Sequence, residues 1–244
     1  MDPVALHAQA SDQGLSAAVD VAIVPQDAQR AATRWRDRST VYLSCGVHPS
    51  QAQEWTATAA IAAITPQRDL VDAVGEMGLD WFRMYAPRER QIELFETQLQ
   101  LARDWRKPAI VHNRDADDEV LAAIERCAPV AGVLHCFSSD RAAAGRALDA
   151  GFLISFAGNL TFRSAEVLRE ACAYVPSDRI LFETDAPFLT PVPHRGRPNH
   201  PGMTPLTIAV AAEVRGEQPE ELARRSTDNL RQLFGAHPAR CTAA

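Results

Sequence analysis

The sequence predicts an α/β fold, a TIM-type (β/α) barrel with seven visible strands and its first strand missing. Three observations predict it. Short apolar runs alternate with longer stretches of helical periodicity, the pattern of βαβ units and a parallel sheet. The short runs are apolar on both faces, as buried parallel strands are. A doubly wound sheet would also suit the strand count, but no Gly-x-Gly-x-x-Gly turn follows the first strand-like run, and such sheets usually carry one.

Taken in order, Pro3–Gln13 reads as a helix with no strand before it. Strand-like runs follow at Ala17–Val24, Val41–Val47, Leu70–Glu76, Ala109–His112, Gly132–Phe137, Phe152–Ala157 and Arg179–Glu183. Helix-like stretches between them include Pro87–Trp105, Asp115–Cys127 and Ser164–Tyr174. The first of these reads Arg90, Ile92, Leu94, Phe95, Leu99, Leu101 and Ala102, with apolar residues near helical spacing. The Pro- and Gly-rich segment Thr190–Pro205 has no periodicity and reads as a long loop after the last strand, a length usually tied to function. Helices follow at Pro205–Arg215 and Pro219–Phe234, each with Pro in its first turn. No linker divides the chain, so a single domain is expected over residues 1–244.

The 244 residues carry 25 Lys and Arg against 31 Asp and Glu, a net charge of −6. An acidic total argues against a protein that coats nucleic acid through bulk charge. It leaves room for an enzyme that grips phosphodiesters through a metal and a few local arginines. Apolar residues make up 46%, ample for a core and unlike a disordered chain. The five cysteines, Cys45, Cys127, Cys136, Cys172 and Cys241, are odd in number, widely spaced and form no Cys-x-x-Cys. Reduced thiols in a cytoplasm are therefore expected. Met1-Asp2-Pro3 opens without a basic or apolar leader pattern, and no apolar run approaches the ~18 residues of a bilayer span. A cytoplasmic monomer with no membrane partner is the expectation.

Four polar residues stand at or just past the expected strand ends: Glu76, His112, His135 and Asp185. In a barrel such ends share one rim, where active sites lie. Each has an ordinary explanation when taken singly: a solvated or capping Glu, a hydrogen-bonded core His, a turn-capping Asp. Together, two imidazoles and two carboxylates form a ligand set for Zn²⁺, Mn²⁺ or a similar divalent ion. Such an ion activates water and polarises a phosphoryl or carbonyl oxygen.

Six segments occur in a telling order: Gly46-Val47-His48-Pro49, Gly75-Glu76-Met77-Gly78-Leu79-Asp80, Val111-His112-Asn113-Arg114-Asp115, Leu134-His135-Cys136-Phe137-Ser138, Glu183-Thr184-Asp185-Ala186-Pro187-Phe188-Leu189 and Pro191-Val192-Pro193-His194-Arg195-Gly196. In them the chain resembles the TatD family of metal-dependent hydrolases, whose members are cytoplasmic nucleases acting on DNA, with some acting on other esters. The resemblance implies one or two divalent ions, Zn, Mn or Mg. It implies that Glu76 bridges two metals, that His112 and His135 are ligands of the second, and that Asp185 is a ligand of the first and the catalytic carboxylate. It also implies that Arg195 lies in a substrate-side loop. His48 is expected to touch substrate or the outer shell of the site. Asp80 can orient a ligand, and Trp81, Phe82 and Tyr85 can either pack or stack on bases.

The resemblance has one departure. The family begins with a strand ending in His-x-His, and this chain has no such pair. The expectation is that Met1 is internal to a longer natural protein. The function expected is a TatD-type deoxyribonuclease working by metal-activated water. An ester or amide hydrolase on the same metal site, or an inactive homologue that only binds, are the alternatives.

Overall fold

A computed structural model describes residues 2–36 and 40–235. Met1 and Cys241, which entered the sequence reading, lie outside the described residues. The contacts group the chain into two compact units, one of Met1–Ser16 with Leu134–Leu230, the other of Ala17–Val133 with Arg231–Ala244.

The Ala17–Val133 unit is a run of parallel strands with helices between them. Strand β1 (Ala18–Asp20) pairs with β2 (Val41–Cys45), β2 with β3 (Ala73–Asp80), and β3 with β4 (Ala109–Arg114), all parallel. β2 and β3 are buried at every position, as parallel strands covered on both faces are, and β3 carries two buried acids, Glu76 and Asp80. Helices α2 (Pro25–Arg34), α3 (Ala57–Ile64), α4 (Arg88–Trp105) and α5 (Asp117–Cys127) intervene. α4 buries Leu94, Phe95, Leu99 and Ala102 and packs on β3.

In the other unit, α1 (Pro3–Asp12) opens with Pro3 in its first turn and Asp2 Oδ1 accepting the Val4 N–H at 3.1 Å. The expected strandless start is therefore a capped helix, and no described residue before Ala18 is a strand. Strands β6 (Phe152–Phe156) and β7 (Ile180–Phe182) pair in parallel. Helices α6 (Arg141–Asp149), α7 (Glu166–Tyr174) and α8 (Thr204–Arg215) complete its regular structure, with α9 (Pro219–Phe234) closing the chain. Asn229 of α9 donates to the Ser177 and Ile180 carbonyls at 2.9 Å each, fixing the entry to β7. Strand β5 (Gly132–Leu134) spans the junction of the two segments.

Several expected strands change bounds: Gly132–Phe137 shortens to Gly132–Leu134, which leaves His135 just past its strand, and two others differ most. Ala17–Val24 shortens to Ala18–Asp20 because Pro25 starts α2 and the chain must bend to reach it. Leu70–Glu76 becomes Ala73–Asp80, so Glu76 lies inside a strand rather than at its end. The β3–β4 register shifts between Val74 and Met77, around Glu76 itself, and such irregularities re-aim a side chain. Among the described residues, no helix is long and apolar enough to cross a membrane. Among the described residues, Cys45, Cys127, Cys136 and Cys172 form no disulfide.

Candidate metal centre

Two groups of side chains offer nitrogen and carboxylate ligand atoms within 4.8 Å of one another, His48–Glu76–His112 and His135–Glu183–Asp185. Each lies within one unit.

The first group is built on β3 and β4. Glycine brings these strands together: at Gly78 (φ +143°) an added Cβ would sit 1.9 Å from the His112 carbonyl oxygen. Glu76 Oε1 lies 3.1 Å from His112 Nδ1 and 3.3 Å from His48 Nε2. Two donors at about 2.0–2.1 Å from a tetrahedral zinc are about 3.3 Å apart, so the Glu76–His112 spacing fits a divalent ion. His48 is different. Its Nδ1 accepts the Ser50 N–H at 3.0 Å, so in the neutral ring the proton sits on Nε2, which faces Glu76. His48 therefore enters as a hydrogen-bond donor to the carboxylate.

The His112 ring is held from its other side. Its Nε2 faces Asp80 Oδ2 at 3.6 Å, while Asp80 Oδ1 accepts the Arg83 N–H at 2.7 Å. Burial pushes the Asp80 carboxyl up. The hydrogen bonds from His112 and Arg83, with the charges of His112 and Arg114, outweigh it and leave the group below its ordinary value. Two buried glutamines of α4 fix the backbone around this group. Gln91 accepts the Asp80 N–H at 2.9 Å and donates to the Ala86 carbonyl at 2.9 Å. Gln98 accepts the Val47 N–H at 2.7 Å and returns a donor to the Val47 carbonyl at 3.1 Å. Sequence reasoning missed both, because a Gln at helical spacing among apolar residues carries no signal of what it faces.

The second group sits on loops just past β5 and β7. Glu183 Oε1 faces His135 Nδ1 at 3.2 Å, and Glu183 Oε2 accepts the Cys136 N–H at 3.1 Å. With Glu183 as the acceptor, a neutral His135 ring carries its proton on Nδ1 and its lone pair on Nε2. Cys136 and Asp185 hold left-handed backbone, φ +48° and +54°, and Cys136 Sγ lies 4.0 Å from Asp185 Oδ2. The sequence places Glu183 at a strand end and at the head of the Glu-Thr-Asp motif, but assigns it no partner.

Arg195 is exposed and lies over the Phe162 ring, its guanidinium carbon 3.7 Å from the centroid. Its loop is tied down by Asn199, whose side chain donates to the Thr184 and Phe188 carbonyls at 2.7 Å each. Thus Glu76, His48 and His112 come together in one unit, and His135 and Asp185 in the other.

A family model described as TatD-related DNase matches residues 2–235. The uncharacterized metal-dependent hydrolase YcfH of Escherichia coli K12 is 44% identical over 200 residues, 81% of this chain and 75% of that protein. The 3'-5' ssDNA/RNA exonuclease TatD of Erwinia billingiae is 38% identical over 221 residues, 87% of this chain and 84% of that one. Among solved structures, the TatD homolog YjjV of Escherichia coli K12 superposes with a TM-score of 0.85 at 28% identity, covering 95% of this chain and 90% of that one. The fold class is that of these α/β, TIM-type hydrolases, with seven strands among the described residues.

Proposed function

The chain belongs to the TatD-related DNase family of metal-dependent hydrolases, and we propose that the bond it cleaves is the phosphodiester of DNA. The observation that carries this reading is the paired arrangement of imidazole and carboxylate at His112–Asp80 and His135–Glu183. In each pair the carboxylate takes a backbone N–H on one oxygen and faces the ring with the other, at hydrogen-bond distance in His135–Glu183 (3.2 Å) and at ion-pair distance in His112–Asp80 (3.6 Å). That is how a protein fixes the tautomer and aim of a ligating histidine. A relative named as an exonuclease supports the choice of phosphodiester over other esters.

In this reading Glu76, His112, His135 and Asp185 are the metal ligands. A divalent ion bound at either group would lower the pKa of water and polarise the phosphoryl oxygen. Asp185 would accept the proton of the attacking water. His48 donates from Nε2 to Glu76 and so holds that carboxylate beside the substrate. Arg195 offers a charge-assisted hydrogen bond to a phosphate oxygen.

The test is metal analysis of the purified protein, followed by hydrolysis of a DNA oligonucleotide and of a 4-nitrophenyl carboxylic ester. Mn²⁺-dependent cleavage of the oligonucleotide is expected. Turnover of the ester with an untouched oligonucleotide would instead make this an esterase on the same ligands. Metal-free protein inert to both would leave a binding homologue.

A further inference from the structure

Beyond the ligands, β3 and β4 carry a second feature at their exits. Asp80 and Arg114 are register partners, and the chain leaving Asp80 runs Trp81-Phe82-Arg83-Met84-Tyr85-Ala86-Pro87-Arg88, with two arginines and no acid. The stretch itself is positive in a chain of net charge −6. Phe82 is 58% exposed, and Met84 and Tyr85 beside it are also exposed. The Arg114 guanidinium carbon lies 4.0 Å from the Phe82 ring centroid, and that of Arg83 lies at 5.7 Å. Trp81, by contrast, is buried with Arg88 over its ring at 4.8 Å, so it anchors the loop.

Burying a large aromatic stabilises a fold, and exposing one forgoes that gain. Here the exposed ring is braced by a cation two residues beyond His112, on the strand neighbouring the one that carries Glu76. We infer that Phe82, braced by Arg114, is the platform on which an unpaired base of a single-stranded nucleic acid stacks, with Arg83 available to its phosphate; this rests on the nuclease reading above. Aromatic faces bind any base, because every base has a π-face, and flanking cations follow the backbone. A duplex keeps its base faces stacked inside and offers none to Phe82, so the platform selects single strands.

The test uses the full chain with Mn²⁺ and a fluorescein-labelled, phosphorothioate-linked oligodeoxythymidylate, read by fluorescence anisotropy. Phe82→Ala and Phe82→Leu should each weaken binding roughly tenfold, within the range measured for one stacked base, while Phe82→Trp stays near wild type. Thermal unfolding checks each variant; should the Ala form be unstable, the Leu-to-Trp contrast decides. Leucine binding as well as phenylalanine would show the ring to be ordinary packing and overturn the platform. Wild-type protein that cleaves DNA, with variants that bind it unchanged, would overturn the platform alone. Wild-type protein that hydrolyses bis(4-nitrophenyl) phosphate but binds no oligonucleotide would overturn both the platform and the nucleic-acid reading.

Discussion

The His48–Glu76–His112 group and the His135–Glu183–Asp185 group use the same local device on opposite kinds of backbone. Both orient an imidazole with a carboxylate that is itself pinned by a backbone N–H. In the first group the pinning carboxylate, Asp80, is 2% exposed, stands at the end of a fully buried strand and takes its N–H from Arg83, three residues on. In the second, Glu183 lies past a three-residue strand and reaches a loop 47 residues earlier. The first group is stiffened by a strand ladder, close glycine approach and two helical glutamines. The second relies on hydrogen bonds between loops and on left-handed backbone at Cys136 and Asp185, each costing about 1–2 kcal/mol. The same chemistry can thus be positioned by regular structure or by strained loops. The second way leaves less redundancy.

The largest effect should come from breaking the ladder. Gly78→Ala puts a Cβ into the His112 carbonyl at a φ that L-residues avoid, and is expected to cost on the order of 3 kcal/mol or more. Urea unfolding reads this, and a midpoint equal to wild type would show that the strands do not need the close approach.

Next are the ligands. His112→Ala and Asp185→Asn should each lower bound metal, measured as metal per protein by mass spectrometry after dialysis. Loss in both variants would show that each group contributes to retention. Undiminished occupancy in the His112 variant would remove that residue from the ligand set.

The carboxylate that orients His135 comes third. Glu183→Ala should weaken metal affinity by ~10–100-fold, as loss of such partners typically does, and Glu183→Gln, whose amide oxygen still accepts, should recover part of it. The readout is a calorimetric titration, with the ring ¹⁵N shifts of His135 in the metal-free protein reporting its tautomer. A proton on Nε2 in wild type would contradict the assignment and make Glu183 a candidate ligand.

The smallest effect concerns pH. Burial pushes the Glu217 carboxyl up, but hydrogen bonds from Ser177 and Arg215 and the charges of Arg215 and Arg225 outweigh it and hold it below the ordinary range. A carboxyl depressed in the folded state stabilises above its unfolded pKa of about 4.3, and that gain disappears as pH falls through the lower folded value. Urea midpoints across that acid window should fall, and Glu217→Gln should flatten the fall. Parallel profiles would show that the Glu217 contacts add nothing to the stability of the second unit.

Much of this was legible in the sequence where chemistry and periodicity coincide. Helices at Arg88–Trp105 and Pro219–Phe234 and the strand at Val41–Cys45 lie close to where apolar spacing put them. His112, His135 and Asp185 stand near strand ends, because a parallel strand ends where its apolar run meets polar residues. Glu76 was misplaced in its strand because Gly-Glu-Met-Gly looks like a terminus, whereas here glycine allows close strand packing around a buried acid. His48 looked like a loop residue, and only the Ser50 N–H reveals which nitrogen holds its proton. Gln91, Gln98 and Glu183 act on partners far away in sequence, which no local pattern encodes.

The placement of the thiols has a consequence for covalent chemistry. Burial, with the charge of Asp27 adding at Cys45 and that of Arg215 opposing at Cys172, pushes both thiols to about 12. At neutral pH that leaves on the order of one thiolate in 10⁵ molecules at each, beyond the reach of electrophiles that need the anion. Cys127 is buried and also raised. Cys136 is the described cysteine that is not fully enclosed, and its sulfur lies 4.0 Å from Asp185. The three buried thiols are thus shielded from mild alkylation, and the least enclosed of the described thiols lies beside the acid proposed to accept the proton.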